Sequence, residues 1–350
     1  MPNNELTGLV QTVLGTVSPD VLGPTTTHEH LMIDFRCMFN PPAEVSDLGR
    51  ARAPLTMEVL GWVRHNWFDN EDNLMLDDEE TAIREATLYQ RAGGGTIVDA
   101  TTFGIGRDPL ALTRIARATG LNIVMGAGYY VDLVHPPEMD DLTEADIARR
   151  IVDEIRTGVG DTGVKAGIIG ELGCSWPLTR NERKVLQGAA VAQQETGASI
   201  LIHPGRHDDA PGEILDVLAE SGGDLGRVIM GHLDRTTADY GVLTAIARSG
   251  CYLEYDLFGL ESSYYPLSGI DMPSDAQRMD LIKRLVDDGY GQRVVIAHDI
   301  CTKHRLVKYG GHGWAHIVQH IAPGLRHKDV SEEAVHSILV ENPARALTFA

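Results

Sequence analysis

Short apolar segments alternate along the chain with longer amphipathic ones. Eight apolar segments have the length and composition of β-strands, and between them apolar residues recur every three or four positions, which is typical of helices with one buried face. The predicted strands are residues 25–34, 96–101, 122–130, 166–172, 199–205, 228–234, 252–258 and 294–300. The predicted helices are residues 78–93, 109–119, 143–157, 179–196, 211–222, 236–249, 274–289, 313–321 and 332–346.

Eight strands alternating with helices predict an α/β fold, a (β/α)8 TIM barrel, in a single domain over residues 1–350. A doubly wound open sheet would give a similar alternation. Residues 8–22 alternate in polarity and break at Gly15 and Pro19. They predict a short N-terminal hairpin before the first barrel strand.

Residues 36–77 interrupt the alternation with prolines, aromatic residues and an acidic run. A stretch this long after a strand is more typical of a functional loop than of a linker. We therefore predict a long insert after strand 1 that acts as a lid or substrate-binding segment and is not a separate domain. The alternative is that its aromatic residues Trp62, Trp67 and Phe68 simply pack the insert onto the barrel.

The composition narrows the class of partner. The chain is 43% hydrophobic, which supports a large core, and its formal charge is −20. Such a charge opposes binding to nucleic acid or to an anionic membrane through the general surface. We expect a small-molecule substrate, and an anionic substrate would need local positive charge.

The cysteines and the N-terminus bear on the compartment. Four cysteines, Cys37, Cys174, Cys251 and Cys301, are scattered without Cys-x-x-Cys spacing, which indicates reduced thiols rather than a disulfide framework or a zinc knuckle. The first residues have no basic, apolar leader, and no apolar run is long enough to span a membrane. We therefore expect a cytoplasmic protein.

His28 and His30 supply the first candidate chemistry. On a strand, side chains at i and i+2 face the same way, so both imidazoles can bind one metal ion. The pair alone is weak evidence, since 14 histidines in 350 residues give about half a His-x-His by chance. Four later apolar strands, however, also end in a ligand-type residue: Glu171, His203, His232 and Asp299.

These six residues predict a metal-dependent hydrolase. In a closed barrel they all lie at the C-terminal face of the strands, where barrel active sites form. Four imidazoles and two carboxylates exceed the needs of one tetrahedral ion and suit two ions about 3.5–4 Å apart that share a carboxylate and a hydroxide. Two divalent ions are the predicted cofactors, and imidazole and carboxylate ligands suit zinc, manganese, iron and cobalt alike. Asp299 is the candidate catalytic residue, which could bind metal and also move a proton to the leaving group.

The motifs THEH, GIIGELGCSWPLT, IHPGR, GHLD and AHD occur in this order over nearly the whole chain. With GIGRDP at 104–109 and GGHGWAHI at 310–317, they resemble the phosphotriesterase-related branch of the amidohydrolase superfamily. The resemblance implies a TIM barrel with a binuclear centre. It implies that His28, His30 and Asp299 bind the more buried metal, that His203 and His232 bind the other, and that a residue of strand 4 bridges them.

In the true phosphotriesterases and their lactonase relatives, the bridging residue is a carboxylated lysine. This chain differs from that pattern. Here Gly170 occupies that position and Glu171 follows it, as in the branch that uses glutamate. Lys165 would lie about 20 Å down the strand, near the wrong end of the barrel. We therefore predict that Glu171 bridges the ions, which favours amide, ester or lactone substrates over phosphotriesters.

Three further residues are candidates at the site. Arg206 could bind a substrate carboxylate or sulfonate, or instead pair with an acid of its own loop, Asp208 or Asp209. Tyr129 and Tyr130 face opposite ways, so one of them points into the pocket, and we choose Tyr130 as substrate-binding. Asp234 could orient a ligand or relay protons, or simply cap a loop. Asp99 and Asp256 are weaker candidates for the same role.

The function hypotheses differ in substrate. The first is a binuclear metal-dependent hydrolase that attacks an amide, ester or lactone carbonyl with a metal-bridging hydroxide, its substrate being an N-acyl amino acid or a similar acidic acylated amine. The second is a phosphotriesterase or acyl-lactone hydrolase. The third, from another class, is a small-ligand-binding protein that retains the metal centre. The resemblance also suggests a homodimer.

Overall fold

A computed structural model describes residues 5–262, 265, 267 and 270–350 of the protein. Eight parallel strands form its central sheet, and each pairs with the next in chain order. We number them β1 to β8: Thr25–Glu29, Thr96–Asp99, Asn122–Ala127, Ile168–Gly173, Ile200–His203, Val228–Met230, Tyr252–Tyr255 and Val294–Ile296. The backbone N–H of Asp299 donates to the carbonyl oxygen of His28 at 3.0 Å, which joins β8 to β1. The sheet is a nearly closed barrel, as predicted.

Helices follow the strands on the outside of the barrel. The main helices are Glu79–Arg91, Pro109–Thr119, Glu144–Arg156, Arg180–Thr196, Ala210–Glu220, Tyr240–Arg248 and Asp275–Asp287. Three of them begin with a capping box, in which the side chain of Thr143, Thr179 or Ser274 accepts a backbone N–H of the first turn. These local signals explain why the predicted starts of these helices agree with the structure.

The C-terminal helices contain π-helical turns. Ile317–Ile321 is π-helical and continues as the α-helix Ala322–His327. The last helical segments are Glu332–His336, the π-helical Ser337–Glu341, and Asn342–Leu347. The helix predicted at 313–321 therefore begins later and extends further than the sequence pattern indicates.

Two other boundaries differ from the prediction. The strand predicted at 25–34 ends at Glu29, and Ile33–Asp34 instead pairs antiparallel with Met75–Leu76. This pairing joins the two ends of the insert. The helix predicted at 236–249 begins at Tyr240, because the chain first forms the short helix Leu233–Thr236.

The barrel interior is filled by one side chain from each of seven strands. These residues are Val98, Val124, Ile168, Leu201, Ile229, Tyr252 and Val295, and all are buried. They pack with Val10 of the N-terminal hairpin and with Leu347 of the last helix. Their sequence neighbours, such as Ile97 and Ile123, belong to the larger cluster that includes the helices. The alternation follows from the two-residue period of a strand.

The predicted N-terminal hairpin is present. Val10–Thr12 pairs antiparallel with Gly15–Val17. The insert contains two short helices, Leu48–Ala51 and Met57–Val63, so it is less irregular than its sequence suggests. Whether it closes over a substrate stays a prediction.

Two further features concern the cysteines and the length of the helices. All four cysteines are free. None of the helices in the described ranges combines the length and apolar character that crossing a membrane requires.

Candidate metal centre

The six predicted ligands lie together at the carboxyl-terminal ends of the barrel strands. His28 and Glu171 lie within β1 and β4, His203 ends β5, and His30 directly follows β1. His232 and Asp299 lie beyond β6 and β8 rather than on them, which corrects their predicted placement on strands. Both have a left-handed backbone, with φ of 52° and 49°, so a turn at the end of each strand directs the side chain inward. Their convergence requires the closed barrel.

Glu171 is at the centre of this cluster. Its Oε2 lies 2.8 Å from His203 Nδ1, 3.3 Å from His28 Nε2 and 3.5 Å from His232 Nε2. Its Oε1 lies 3.2 Å from His30 Nε2, and this nitrogen lies 3.2 Å from Asp299 Oδ1. The two carboxylate oxygens thus face different imidazoles, with Oε1 toward His30 and Oε2 toward the other three histidines.

The residues present fit a divalent cation. Donor atoms of His28, His30 and Asp299 all lie within 4.8 Å of one another, and so do those of His28, Glu171 and His232. His203 belongs to neither set, although its Nδ1 lies 2.9 Å from His232 Nε2. His28 Nε2 is buried, and its 3.3 Å approach to Glu171 Oε2 does not have hydrogen-bond geometry, which leaves it without a hydrogen-bond partner among the described residues. A bound cation would satisfy this otherwise costly nitrogen.

Burial and charge act in opposite directions on these groups. Burial alone would lower the pKa of His28, but the carboxylates around it raise that pKa well above its usual range. Burial, Arg235 and His232 together hold the pKa of His203 well below its usual range. His203 is therefore neutral at physiological pH, which is the form that binds metal.

Asp256 and Glu254 hold the outer nitrogens of two predicted ligands. Asp256 contacts His232 Nδ1 at 2.8 Å and His28 Nδ1 at 3.3 Å, and Glu254 contacts His28 Nδ1 at 3.1 Å. Burial raises the pKa of Glu254 to about 7. Carboxylates in this position fix the orientation of metal-binding imidazoles. Sequence reasoning missed Glu254, which lies on β7 two residues before Asp256, although this i,i+2 spacing is the same signal that marked His28 and His30.

The hydrogen bonds of Asp234 go to groups other than the predicted ligands. Its Oδ2 accepts hydrogen bonds from Arg278 Nε at 2.7 Å and from the backbone N–H of Leu257 at 3.0 Å. None of the hydrogen bonds found for Asp234 within the described ranges involves a predicted ligand. His232 lies in the turn that ends β6. Its ring contacts Asp256, directly after β7, and not Asp234.

Arg206 and Tyr130 both line the pocket beside the cluster. Arg206 Nε donates to the hydroxyl of Tyr265 at 2.7 Å, and the described residues include no carboxylate paired with this arginine. The alternative pairing with Asp208 or Asp209 is therefore not observed. The Tyr130 hydroxyl lies 3.4 Å from His203 Nδ1, whereas Tyr129 faces Arg150 on the outside.

Trp67 and Phe68 of the insert contribute to an aromatic wall of this pocket. The distance between ring centroids is 6.2 Å for Tyr130 and Phe35 and 6.2 Å for Phe35 and Phe68. It is 4.8 Å for Phe68 and Trp67. Trp67 continues to Tyr265 at 6.0 Å. Trp67 and Phe68 are packed into the core and also line the pocket, and a substrate-binding role for the insert stays a prediction.

Two further arginines line the pocket and were missed by sequence reasoning. Arg305 binds backbone carbonyls, with Nη1 donating to Asp299 O at 2.6 Å and Nη2 to Phe258 O at 3.2 Å. Arg235 Nη2 lies 3.0 Å from His203 Nε2. The available signal for Arg235 was its position three residues after His232, since residues three apart lie on the same face of a helix.

Strand β4 has Gly170 at the position where the true phosphotriesterases have a carboxylated lysine, and the packing around Gly170 accounts for this difference. A Cβ at this position would overlap the carbonyl oxygen of Leu201 on the neighbouring strand, and its φ of 119° disfavours any other residue. Lys165 is exposed and lines a groove with the N-terminal hairpin residues Thr12 and Leu14, away from the cluster. The backbone at position 170 therefore leaves no room for a lysine side chain, and Lys165 does not lie at the cluster.

Comparison with known proteins places these observations in a family. The model of the phosphotriesterase family matches residues 8–347. The N-acetyltaurine hydrolase of Danio rerio is 48% identical over 348 residues, which cover 99% of each chain.

Solved structures give the same result. The resiniferatoxin-binding protein from Rhodobacter sphaeroides superposes with a TM-score of 0.94 at 38% identity, covering 97% of this chain and 95% of that one. The phosphotriesterase homology protein from Escherichia coli, complexed with phosphate in its active site, has a TM-score of 0.76 at 28% identity, with coverage of 94% and 99%.

Proposed function

The chain belongs to the phosphotriesterase family of metal-dependent hydrolases, and we propose that it hydrolyses the amide bond of an acylated amine that carries an acidic group. N-acetyltaurine is the first substrate to test, because relatives 48% and 45% identical over 99% of this chain have that activity in their names. The observation that carries the proposal is Arg206, which lines the pocket with no carboxylate partner among the described residues.

We propose that the six ligands hold two divalent ions, with Glu171 as the bridge. The support is that the two oxygens of Glu171 face different imidazoles. Divalent ions at such a site polarise a carbonyl oxygen and lower the pKa of water to about 7. Zinc is our first choice because imidazole and carboxylate donors suit it, with manganese, iron or cobalt as alternatives.

The chain's own residues divide the remaining work. The Asp299 side chain is 16% exposed at the pocket, so it can accept a proton from the attacking water and pass it to the departing amine. The buried Tyr130 hydroxyl, beside His203, can donate a hydrogen bond to the substrate. Arg206 binds the acidic group with the fork of its guanidinium. The aromatic wall excludes water from the rest of the substrate.

The test combines metal analysis with a substrate panel of N-acetyltaurine, N-acetyl amino acids, a lactone and a paraoxon-like triester. We expect two equivalents of metal and the highest kcat/KM for an acidic amide. Glu171→Ala should lose metal and rate together, and full metal content with full rate in this variant would disprove the bridge. Arg206→Ala should raise KM for acidic amides, and an unchanged KM would disprove the anchor.

The alternative hypotheses predict other outcomes of the same panel. A phosphotriesterase or acyl-lactone hydrolase would prefer the triester or the lactone. A small-ligand-binding protein with a retained metal centre would turn over none of the panel, and the name of the Rhodobacter sphaeroides structure keeps this hypothesis in consideration. A homodimer, a cytoplasmic location and the absence of nucleic-acid and membrane partners are further proposals. The dimer can be tested by light scattering.

A further inference from the structure

Buried arginines in this protein are usually compensated by negative charge or carbonyl oxygens. Arg278 is fully buried and pairs with Asp234 at 2.7 Å and with Asp275 at 2.9 Å. Arg305 is also buried and donates to the carbonyl oxygens of Asp299 and Phe258. These contacts are expected, because a buried charge without compensation is costly.

Arg235 is the exception. It is 2% exposed, it lies on the short helix Leu233–Thr236, and it lines the pocket. Its Nη1 donates to the carbonyl oxygen of Pro204 at 3.1 Å, and its Nη2 lies against His203. The ion pairs of the described residues include none with Arg235. One carbonyl, the Thr236 hydroxyl at 3.4 Å from Nη1 and one imidazole do not neutralise a guanidinium.

Arg206 lies close to it in the same pocket. Both side chains line this pocket together with His203, so the two guanidiniums share one cavity. Arg206 is held through its Nε by Tyr265, while the described residues provide no hydrogen-bond partner for its terminal nitrogens. Arg305, the third arginine of this pocket, is occupied by backbone carbonyls, which leaves Arg206 and Arg235 to face the cavity in a protein of formal charge −20.

We propose that Arg235 and Arg206 together form the binding site for the substrate's acidic group, and that Arg235 determines specificity for acidic over neutral acylated amines. The ligand chemistry is an oxyanion with two or three equivalent oxygens, a sulfonate or a carboxylate, because guanidinium forks match such groups. Arg206 supplies the open fork and Arg235 supplies a second positive charge beside the metal ligand His203. The proposal rests on the proposed function for the identity of the substrate, but not for the existence of the anion site.

The first experiment measures binding of ethanesulfonate by calorimetry to the protein as purified. Arg235→Met keeps length and removes charge, and it should weaken binding at least tenfold, since a charge-assisted hydrogen bond is worth more than a neutral one. Arg235→Lys should retain most of the binding. Arg114→Met, which removes an exposed arginine that pairs with Glu79 on the surface, is the matched control and should bind like the wild type.

The second experiment uses three substrates of matched length. N-acetyltaurine carries a sulfonate, N-acetyl-β-alanine a carboxylate, and N-(2-methylsulfonylethyl)acetamide no charge. Arg235→Met should raise KM at least tenfold for whichever acidic substrate the wild type prefers, leave KM for the neutral sulfone within twofold, and keep its metal content. The preferred acid identifies the anion. If Arg235→Met does not fold, Arg235→Gln, which keeps donors for Pro204, replaces it.

Failures of the two proposals are distinguishable. If the wild type binds ethanesulfonate through Arg235 but hydrolyses none of the amides, the proposed function is wrong and the anion site stands. If the wild type does not bind ethanesulfonate, or Arg235→Met binds it equally well, the anion site is wrong. A KM that rises equally for charged and neutral substrates, or a loss of metal that accounts for the loss of rate, would also overturn it.

Discussion

At the scale of single residues, the candidate centre depends on the groups that hold its histidines. Asp256 contacts the outer nitrogens of His28 and His232, and it also accepts the backbone N–H of His232 at 2.7 Å. One carboxylate thus orients a histidine from each of the two predicted metal sites. Asp234, only two residues from His232 in sequence, instead neutralises Arg278.

This difference predicts opposite phenotypes for two similar substitutions. Asp256→Asn should lower metal affinity about 10- to 100-fold, because removing the carboxylate that orients a ligand histidine has effects of this size. Asp234→Asn should leave metal affinity within a few fold and lower the free energy of unfolding by about 3 kcal/mol, since it leaves the buried Arg278 with less compensation. Competition with a chromophoric chelator measures the first, and urea unfolding the second. Equal metal affinity in the two variants would contradict the assignment.

At the scale of elements, strand β4 carries Glu171 directly after Gly170, and the packing of β4 leaves no room for a side chain at Gly170. The closest neighbour of Gly170 is the backbone of β5 at Leu201, and backbone cannot move aside as a side chain can. The same close contact of β4 with β5 places Glu171 within reach of His203.

Gly170→Ala should therefore be strongly destabilising. We expect a loss of about 2–3 kcal/mol of unfolding free energy from overpacking, together with strain from the positive φ, and a loss of metal because Glu171 is displaced. Gly212→Ala, at a helical position where a new Cβ meets nothing within 4 Å, is the control and should be neutral or slightly stabilising. A stable, metal-replete Gly170→Ala protein would show that the described contact of β4 with β5 is wrong.

The insert is attached to the loop after β8 by buried polar contacts. Asn73 Oδ1 accepts the backbone N–H of His304 at 2.9 Å, and it lies 3.1 Å from His304 Nδ1. Burial, with the nearby Arg305, lowers the pKa of His304 to about 3. Burial therefore favours the neutral imidazole, whose Nδ1–H donates to Asn73 Oδ1.

This contact predicts a pH dependence. The unfolded chain binds a proton at His304 below about pH 6.5, whereas the folded protein does not until about pH 3, so stability falls as the pH decreases through this window. Between pH 7.5 and pH 4.5 the wild type should lose about 2–3 kcal/mol more than His304→Gln. Urea unfolding at both values measures the difference, with the exposed His327→Gln as control. Parallel losses in wild type and His304→Gln would contradict the inferred neutral histidine.

At the scale of the whole molecule, the six ligands come from five different strands or strand ends of the barrel. The buried carboxylates of this cluster lie against its buried imidazoles, and these contacts exist only while the barrel is closed. A bound cation would therefore stabilise the folded chain against the unfolded chain by mass action.

Chelation should therefore reduce stability as well as activity. Dialysis against a strong chelator is expected to abolish turnover and to lower the free energy of unfolding by several kcal/mol, about 4 kcal/mol if the metal had been present at a thousand times its Kd. Activity assays and thermal unfolding before and after chelation, followed by addition of zinc, check both effects. Undiminished activity in chelator would exclude a metal-dependent mechanism.

Several features of the protein followed from the sequence because they are local. The strand and helix alternation appears as a two-residue or three-to-four-residue period, and capping residues such as Thr179 mark helix starts. The strand-end position of His28, Glu171 and His203 could be read for the same reason, and parallel strands place their carboxyl ends on one face. The family resemblance, based on the motifs around these residues, was also correct.

Only the tertiary structure decided which groups touch. It placed Asp256 rather than Asp234 against the ligand histidines, brought the insert's aromatic wall to the pocket, and left Arg235 beside His203 without a carboxylate partner among the described residues. Each of these contacts joins segments far apart in the chain, and their distances depend on barrel closure and on the turns after β6 and β8. A pattern along one element reports which face a side chain is on, but not which neighbour from another element it meets.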